Sequence, residues 1–203
     1  FIKVTQDRVV LEIMRGCIRG CRFCQAGQLY RPVRERDVEF LKKYAIAMLE
    51  NTGHEEISLS SLSSSDYQKL PELIDFLIEE CSRRKVNISL PSLRIDAFSL
   101  DVMNKVQDVK KSSLTFAPEA GSQRLRNVIN KGLTEEVILQ GAKLAFEGGW
   151  TRVKLYFMLG IPFETEEDIR GIAELCNKIA AEFYDTVPKE KRNGRVQIVA
   201  STS

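Results

Sequence analysis

The feature that most restricts the fold is a repeated alternation between two hydrophobic periods. Short runs rich in β-branched and other apolar residues read as strands: "RVVLEIM" (8–14), "EISLSSL" (56–62), "VNISL" (86–90), "SSLTFA" (112–117), "RVKLYFML" (152–159) and "RVQIVA" (195–200). Longer segments with helical spacing lie between them. Val38, Leu41, Ala45 and Met48 follow Asp37, an N-cap residue type, and Leu70, Leu73, Leu77 and Cys81 form a second stripe. Thr134 begins a helix carrying Val137, Leu144 and Ala145. Thr165 and Asp168 have capping-box spacing and open a helix with Ile169, Ile172, Cys176, Ile179 and Phe183 on one face.

Strands alternating with helices imply right-handed crossovers and a parallel sheet. An open doubly wound sheet and a (β/α) barrel, closed or partly closed, both satisfy the pattern. Both place ligands at the carboxyl ends of the strands. The small and polar segments "SSLSSSD", "PSLR", "APEAGS" and "GIPFE" all fall just after strands, as does a cysteine-rich loop after the first.

At 203 residues the chain can form one domain with a substantial core. It opens on Phe1 and closes on Ser203 directly after an apolar run, which suggests a piece of a longer protein. There is no apolar run of the roughly 20 residues that a membrane helix needs, and no secretory leader pattern at Phe1. A net charge of +2 selects no class of partner. The basic stretch "PKEKRNGR" (188–195) reads as a solvated loop before it reads as a phosphate contact. Five cysteines, an odd number without secretory features, point to a reducing, cytoplasmic setting. The single histidine, His54 in the turn-like "ENTGHEE", leaves zinc deaminase, Cys–His hydrolase and two-His metalloprotease chemistries almost nothing to work with.

The cysteine loop, "IMRGCIRGCRFCQAG" (13–27), holds Cys17, Cys21 and Cys24 in C-x3-C-x2-C spacing. Thiolates on a short loop suit a soft metal. A tetrahedral zinc site would need a fourth ligand from Cys81, Cys176 or His54, and both spare cysteines lie on apolar helical stripes. A [4Fe–4S] cluster on three thiolates would instead keep one iron open for chemistry.

The same spacing, with Phe23 just before the last cysteine, resembles the cluster loop of the radical S-adenosylmethionine (SAM) superfamily, and the likeness runs over nearly the whole chain. The resemblance implies an α/β fold, a partial (β/α)6 TIM-like barrel with parallel strands, forming one core domain over residues 1–203. It implies a [4Fe–4S] cluster on Cys17, Cys21 and Cys24, with SAM as the missing ligand and Phe23 near its adenine. Many members follow strand two with Gly-Gly-Glu. This chain has "SLSSLSSSDY" (58–67) there, so Ser60, Ser61 and Ser63 become the candidate contacts, as in the methylthiotransferase branch.

"FAPEAGSQRLRNVINKG" (116–132) resembles the family's Glu-x-Gly-Ser…Leu…Lys segment. There Glu119 would meet the ribose or amine, with Ser122 and Arg124 beside the ligand carboxylate. "MLGIPFETEED" (158–168) resembles the adenine-holding segment, through Gly160 and Ile161, and Arg94 is a candidate from strand three. "EIMRGCIRGCRFCQAGQLYRPVRER" is similar to an uncharacterised Fe–S oxidoreductase-like subgroup whose longer members add a cobalamin-binding-like domain outside this region. Its "RPVRER" (31–36) sets three arginines past the cluster loop, as anion contacts or as a solvated run.

The implied activity is reductive cleavage of SAM to a 5′-deoxyadenosyl radical that abstracts hydrogen from a substrate. A flavodoxin- or ferredoxin-type protein would be the one-electron donor. Methyl or methylthio transfer to RNA or protein is the nearest analogy. Two rivals differ in class: an Fe–S electron-transfer or sensing protein without SAM cleavage, and a zinc-stabilised nucleic-acid-binding module.

Overall fold

The period-two runs form strands because their alternate residues find cover on both faces. In β1 (Val9–Glu12), Val9 and Leu11 are buried, and in β4 (Glu56–Ser60) Ile57, Ser58 and Leu59 are buried in succession. Near-continuous burial is what a parallel strand shows when helices lie against its sheet. The computed structural model describes residues 7–89, 114–192 and 194–203, which fall into two compact units. Arg94, "PSLR" and Leu90 lie outside the described residues.

The first unit contains residues 7–18 and 26–89. β1, β4 and β5 (Asn87–Ser89) form a parallel sheet in the order β1-β4-β5, with Val9 opposite Ile57 and Ile57 opposite Ile88. A short antiparallel pair, β2 (Met14–Arg15) and β3 (Arg34–Glu35), follows β1, and between its strands lies the four-residue helix α1 (Ala26–Leu29). Helix α2 (Val38–Thr52) begins where the Asp37 side chain accepts from Phe40 N. It ends at Gly53, whose φ of 69° is the left-handed geometry of a helix stop. Helix α3 (Leu70–Arg84) buries Leu73, Ile74 and Leu77 completely beneath the sheet, so truncating one of them would cost about 2–5 kcal/mol.

The second unit contains residues 19–25 and the described residues from 114 to 203. β6 (Leu114–Glu119), β7 (Arg152–Phe157) and β8 (Gln197–Thr202) are parallel in that order. α4 (Gln123–Val128) and α5 (Glu135–Glu147) connect β6 to β7, and α6 (Glu166–Thr186) connects β7 to β8. Thr134 caps α5 by accepting from Val137 N.

Two helices differ from the sequence expectation in the face they bury. α5 turns Ile138, Ala142, Ala145 and Phe146 inward rather than Val137 and Leu144. α6 buries Asp168, Gly171, Leu175, Ile179 and Phe183, leaving Ile169 exposed and Ile172 and Cys176 half-buried. Those displaced apolar residues line an open groove of about 410 Å³ with Leu159, Ile198 and Ala200. Among the described residues no helix is long and apolar enough to cross a membrane.

Candidate functional site

The cysteine loop leaves β2 through Gly16, where a side chain would be strained. Its φ is 96°, and a Cβ would lie 2.5 Å from Tyr30 O. Cys17, Cys21 and Cys24 are half-exposed, and all five cysteines of the chain carry reduced thiols. Cys17 belongs to the first unit, while Arg19–Gln25, with Cys21 and Cys24, belongs to the second. Among the described residues no three His, Cys, Asp or Glu side chains are already gathered around a metal position.

The other two cysteines make poor ligands. Cys81 is buried on α3, and burial pushes its thiol up to about 11. Burial also raises the Cys176 thiol, on α6. A metal takes the thiolate, so desolvation disfavours both as a fourth ligand. His54 sits in the turn between α2 and β4, with Nδ1 3.4 Å from Asp7 Oδ1. The donor chemistry therefore fits a three-thiolate cluster better than a closed zinc site.

The serine-rich exit of β4 belongs to the first unit. Ser60 O accepts from Ile13 N at 3.0 Å, and Ser61 Oγ meets Ser64 Oγ at 2.9 Å. Ser63 is 2% exposed, and its hydroxyl has no hydrogen-bond partner among the described residues. A buried unpaired hydroxyl costs stability, and this one lies in the segment where the Gly-Gly-Glu contacts are expected. It is an observation in favour of a ligand that reaches the exit of β4.

The exit of β6 is the opposite case. A bulge between Phe116 and Glu119 shifts the register before the strand's last pair, Glu119 with Phe157, and Glu119 takes φ 70°, a sparsely populated conformation for a residue with a side chain. Its carboxylate pairs with Lys131 Nζ at 3.0 Å, and that ammonium also lies 5.7 Å from the centre of the Phe23 ring. Gly121 follows because a Cβ there would come within 2.6 Å of the Asp168 and Gly171 backbone of α6. Ser122 caps α4 by accepting from Leu125 N at 3.1 Å.

Ser122 Oγ and the Arg124 guanidinium both donate to Asp168, which is 3% exposed, and Thr165 N and Oγ1 add donors at 2.8 Å. Burial alone would raise the Asp168 carboxyl, but these bonds from Ser122, Arg124 and Thr165 outweigh it and hold it well below the usual carboxylate range. Arg124 also donates to Phe163 O at 2.8 Å. Ser122 and Arg124 thus already have partners inside the protein.

Arg126 is a residue that sequence reasoning missed. It is fully buried, donating to Ala120 O at 3.0 Å, Gly121 O at 2.9 Å and Leu133 O at 3.2 Å. Burial pulls its guanidinium below the usual arginine range, opposed by Glu135 and Glu136. Its role is to hold the carbonyls of the turn that presents Glu119. No local hydrophobic pattern reveals a buried cation of this kind.

At the exit of β7, Gly160 has φ 76° and open space where a Cβ would stand, and its N–H donates to Glu164 at 2.8 Å. Ile161 packs into a core with Ala120, Leu125 and Ile129, so only its backbone faces outward chemistry. The arginines of 31–36 are largely spoken for: Arg31 donates to Gly27 O, and Arg36 pairs with Glu12 at 2.9 Å. Arg192, in the basic stretch, donates to Val187 O and Tyr184 O at the end of α6.

Comparison with known proteins agrees with this picture. The family model for the Radical SAM superfamily matches residues 11–176. An uncharacterised protein of Methanocaldococcus jannaschii is 41% identical over 173 residues, 85% of this chain and 37% of that protein. A putative methylthiotransferase of the same organism is 27% identical over 169 residues, 79% of this chain and 37% of its own length. The chain thus spans about 37% of the length of these curated relatives. Among solved structures, the radical SAM methyltransferase TsrM from Kitasatospora setae superposes with a TM-score of 0.65 at 13% identity, covering 85% of this chain and 34% of that one. That likeness shows the fold. The α/β class with parallel strands in a partial TIM-like barrel holds, and among the described residues no sheet closes on itself.

Proposed function

This chain belongs to the radical SAM superfamily, and on that premise we propose that it is the core domain, over residues 1–203, of a longer enzyme that cleaves SAM reductively. The observation that carries the reading is the cysteine loop. Three half-exposed thiols stand in C-x3-C-x2-C spacing, while the two remaining thiols are desolvated on helices. Cys17, Cys21 and Cys24 would hold a [4Fe–4S] cluster. When bound, that cluster supplies the electron that splits SAM into methionine and a 5′-deoxyadenosyl radical able to take hydrogen from a substrate.

The chain's own residues bind and orient. Phe23 offers a ring face for the adenine, and the open left-handed turn at Gly160 admits a ligand against its backbone. Ser63 supplies the hydroxyl that lacks a partner, beside Ser60 and Ser61. Glu119, held by Lys131, is the carboxylate for the ribose or amine. Ser122 and Arg124 act by fixing this region through Asp168, and a direct role for them would require those bonds to open.

The electron donor is proposed to be a flavodoxin or ferredoxin, in the reducing cytoplasm. The reaction is proposed to resemble methyl or methylthio transfer, on RNA or protein, in line with the methylthiotransferase and methyltransferase named above. A second cluster would have to be held outside these residues, since Cys81 and Cys176 are unsuited to ligation, and a cobalamin is proposed only for a domain beyond this chain. TsrM has been seen with both cobalamin and a [4Fe–4S] cluster bound. A zinc module accounts less well for the desolvated spare thiols, and an electron-transfer protein less well for the buried Ser63 hydroxyl.

The direct test is anaerobic reconstitution of the full-length protein with iron and sulfide. The wild type should take up about four irons at this site, and Cys21→Ala should lose the cluster's visible absorbance. Retention of a full cluster by Cys21→Ala would refute the ligand assignment.

A further inference from the structure

We propose that the turn ending α4, residues 127–132, is the seat that holds the second half of the cysteine loop, with Asn130 and Lys131 as positioning residues for Cys21 and Cys24. The inference rests on the cluster reading above. Gly20, Arg22 and Phe23, the residues around those two cysteines, are tied in turn to residues 128–131. Arg22 N donates to Ile129 O at 2.9 Å, and its guanidinium donates to Val128 O. Asn130 Nδ2 donates to Gly20 O at 2.8 Å. Lys131 Nζ lies over the Phe23 ring, 5.7 Å from its centre, while paired with Glu119.

The local chemistry explains why this turn can serve. A helix end leaves carbonyls without intrahelical donors, and two of them, on Val128 and Ile129, accept from Arg22. Asn130 takes φ 53°, a left-handed conformation that asparagine tolerates better than most residues. Gly20 completes the fit, because a Cβ there would lie 3.1 Å from Asn130 Nδ2. The seat is rigid: Leu125 and Ile129 are buried with Ala120 and Ile161, and Lys131 N donates to Arg126 O at 2.9 Å. Cys24 N, donating to Cys21 O at 3.1 Å, carries the constraint between the two cysteines.

Fixing a loop costs conformational entropy residue by residue. A loop already tied at residues 20, 22 and 23 meets that cost before iron arrives, so the seat should govern how long a cluster is retained. Sequence reasoning gave Asn130 no place in the site and named Lys131 only as the closing lysine of the family-like segment, with no role.

The test uses the full-length protein, reconstituted anaerobically, and follows iron loss to a chelator together with the electron paramagnetic resonance spectrum of the dithionite-reduced form. Asn130→Gly keeps the left-handed turn and deletes the amide. It should lower the melting temperature of the metal-free protein by no more than about 4 °C and speed iron loss about fivefold, the factor that one hydrogen bond carries. Lys131→Met should speed iron loss and shift the resonance, and Lys131→Arg should restore both.

Wild-type rates in Asn130→Gly and Lys131→Met would overturn the proposal. So would a larger fall in the melting temperature of Asn130→Gly coupled with no rescue by Lys131→Arg, which marks a merely structural role. A wild type that takes up no iron would instead bring down the cluster reading itself.

Discussion

The exits of β4 and β6 use similar small polar residues and handle them in opposite ways. After β6, Ser122 caps a helix and donates to Asp168, Arg124 joins the same carboxylate, and Arg126 saturates the carbonyls of the turn. After β4, Ser61 and Ser64 bond to each other through their side chains, and Ser63 Oγ has no partner among the described residues. The first exit is satisfied from within. The second leaves a buried hydroxyl for something else. A serine at a strand's carboxyl end is therefore no indicator of ligand contact until its hydrogen bonds are counted.

The contrast can be broken by substitution, most severely at Asp168. Removing that buried carboxylate leaves the Ser122 and Thr165 donors without their acceptor, so Asp168→Ala should cost about 2 kcal/mol in chemical denaturation. Its pH dependence has a definite sign. Because the folded carboxyl is held low, its contribution is complete above the unfolded value of about 4 and is lost as pH falls through the folded value. Asp168→Asn should therefore flatten the acid limb of the stability profile, and an unchanged limb would show that the carboxylate is not what holds this exit together.

A smaller loss, about 1 kcal/mol, is expected for Ser122→Ala from the cap alone. If Ser122 instead bound SAM directly, the variant would keep its stability and lose ligand affinity.

Ser63→Ala should sharpen the comparison from the other side. With no internal bond to lose, the protein should be unchanged or stabilised by up to about 1 kcal/mol, while SAM binding measured by calorimetry weakens about fivefold. Destabilisation beyond about 1 kcal/mol would place Ser63 among the structural serines.

Much of this was legible in the sequence, for physical reasons. The strand runs and the Thr165–Asp168 capping box are local patterns, and locality is what a linear reading can capture. The cysteine spacing was equally local. The face of α6 was not. Asp168 and Gly171 turn inward because one collects side-chain donors and the other lets the Gly121 backbone approach, and neither demand shows in hydrophobic periodicity. Ile169 is left outward as a consequence, in the groove with Leu159. Arg126 and Asn130 were hidden for the same reason, since their partners are backbone carbonyls that any sequence would supply.

The central claim is that three thiolates hold a cluster that cleaves SAM. Its most direct measurement is product analysis of the anaerobically reconstituted full-length protein, given SAM and dithionite. The account predicts 5′-deoxyadenosine and methionine in equal amounts, with neither formed by Cys21→Ala. An intact cluster that yields no 5′-deoxyadenosine would contradict it.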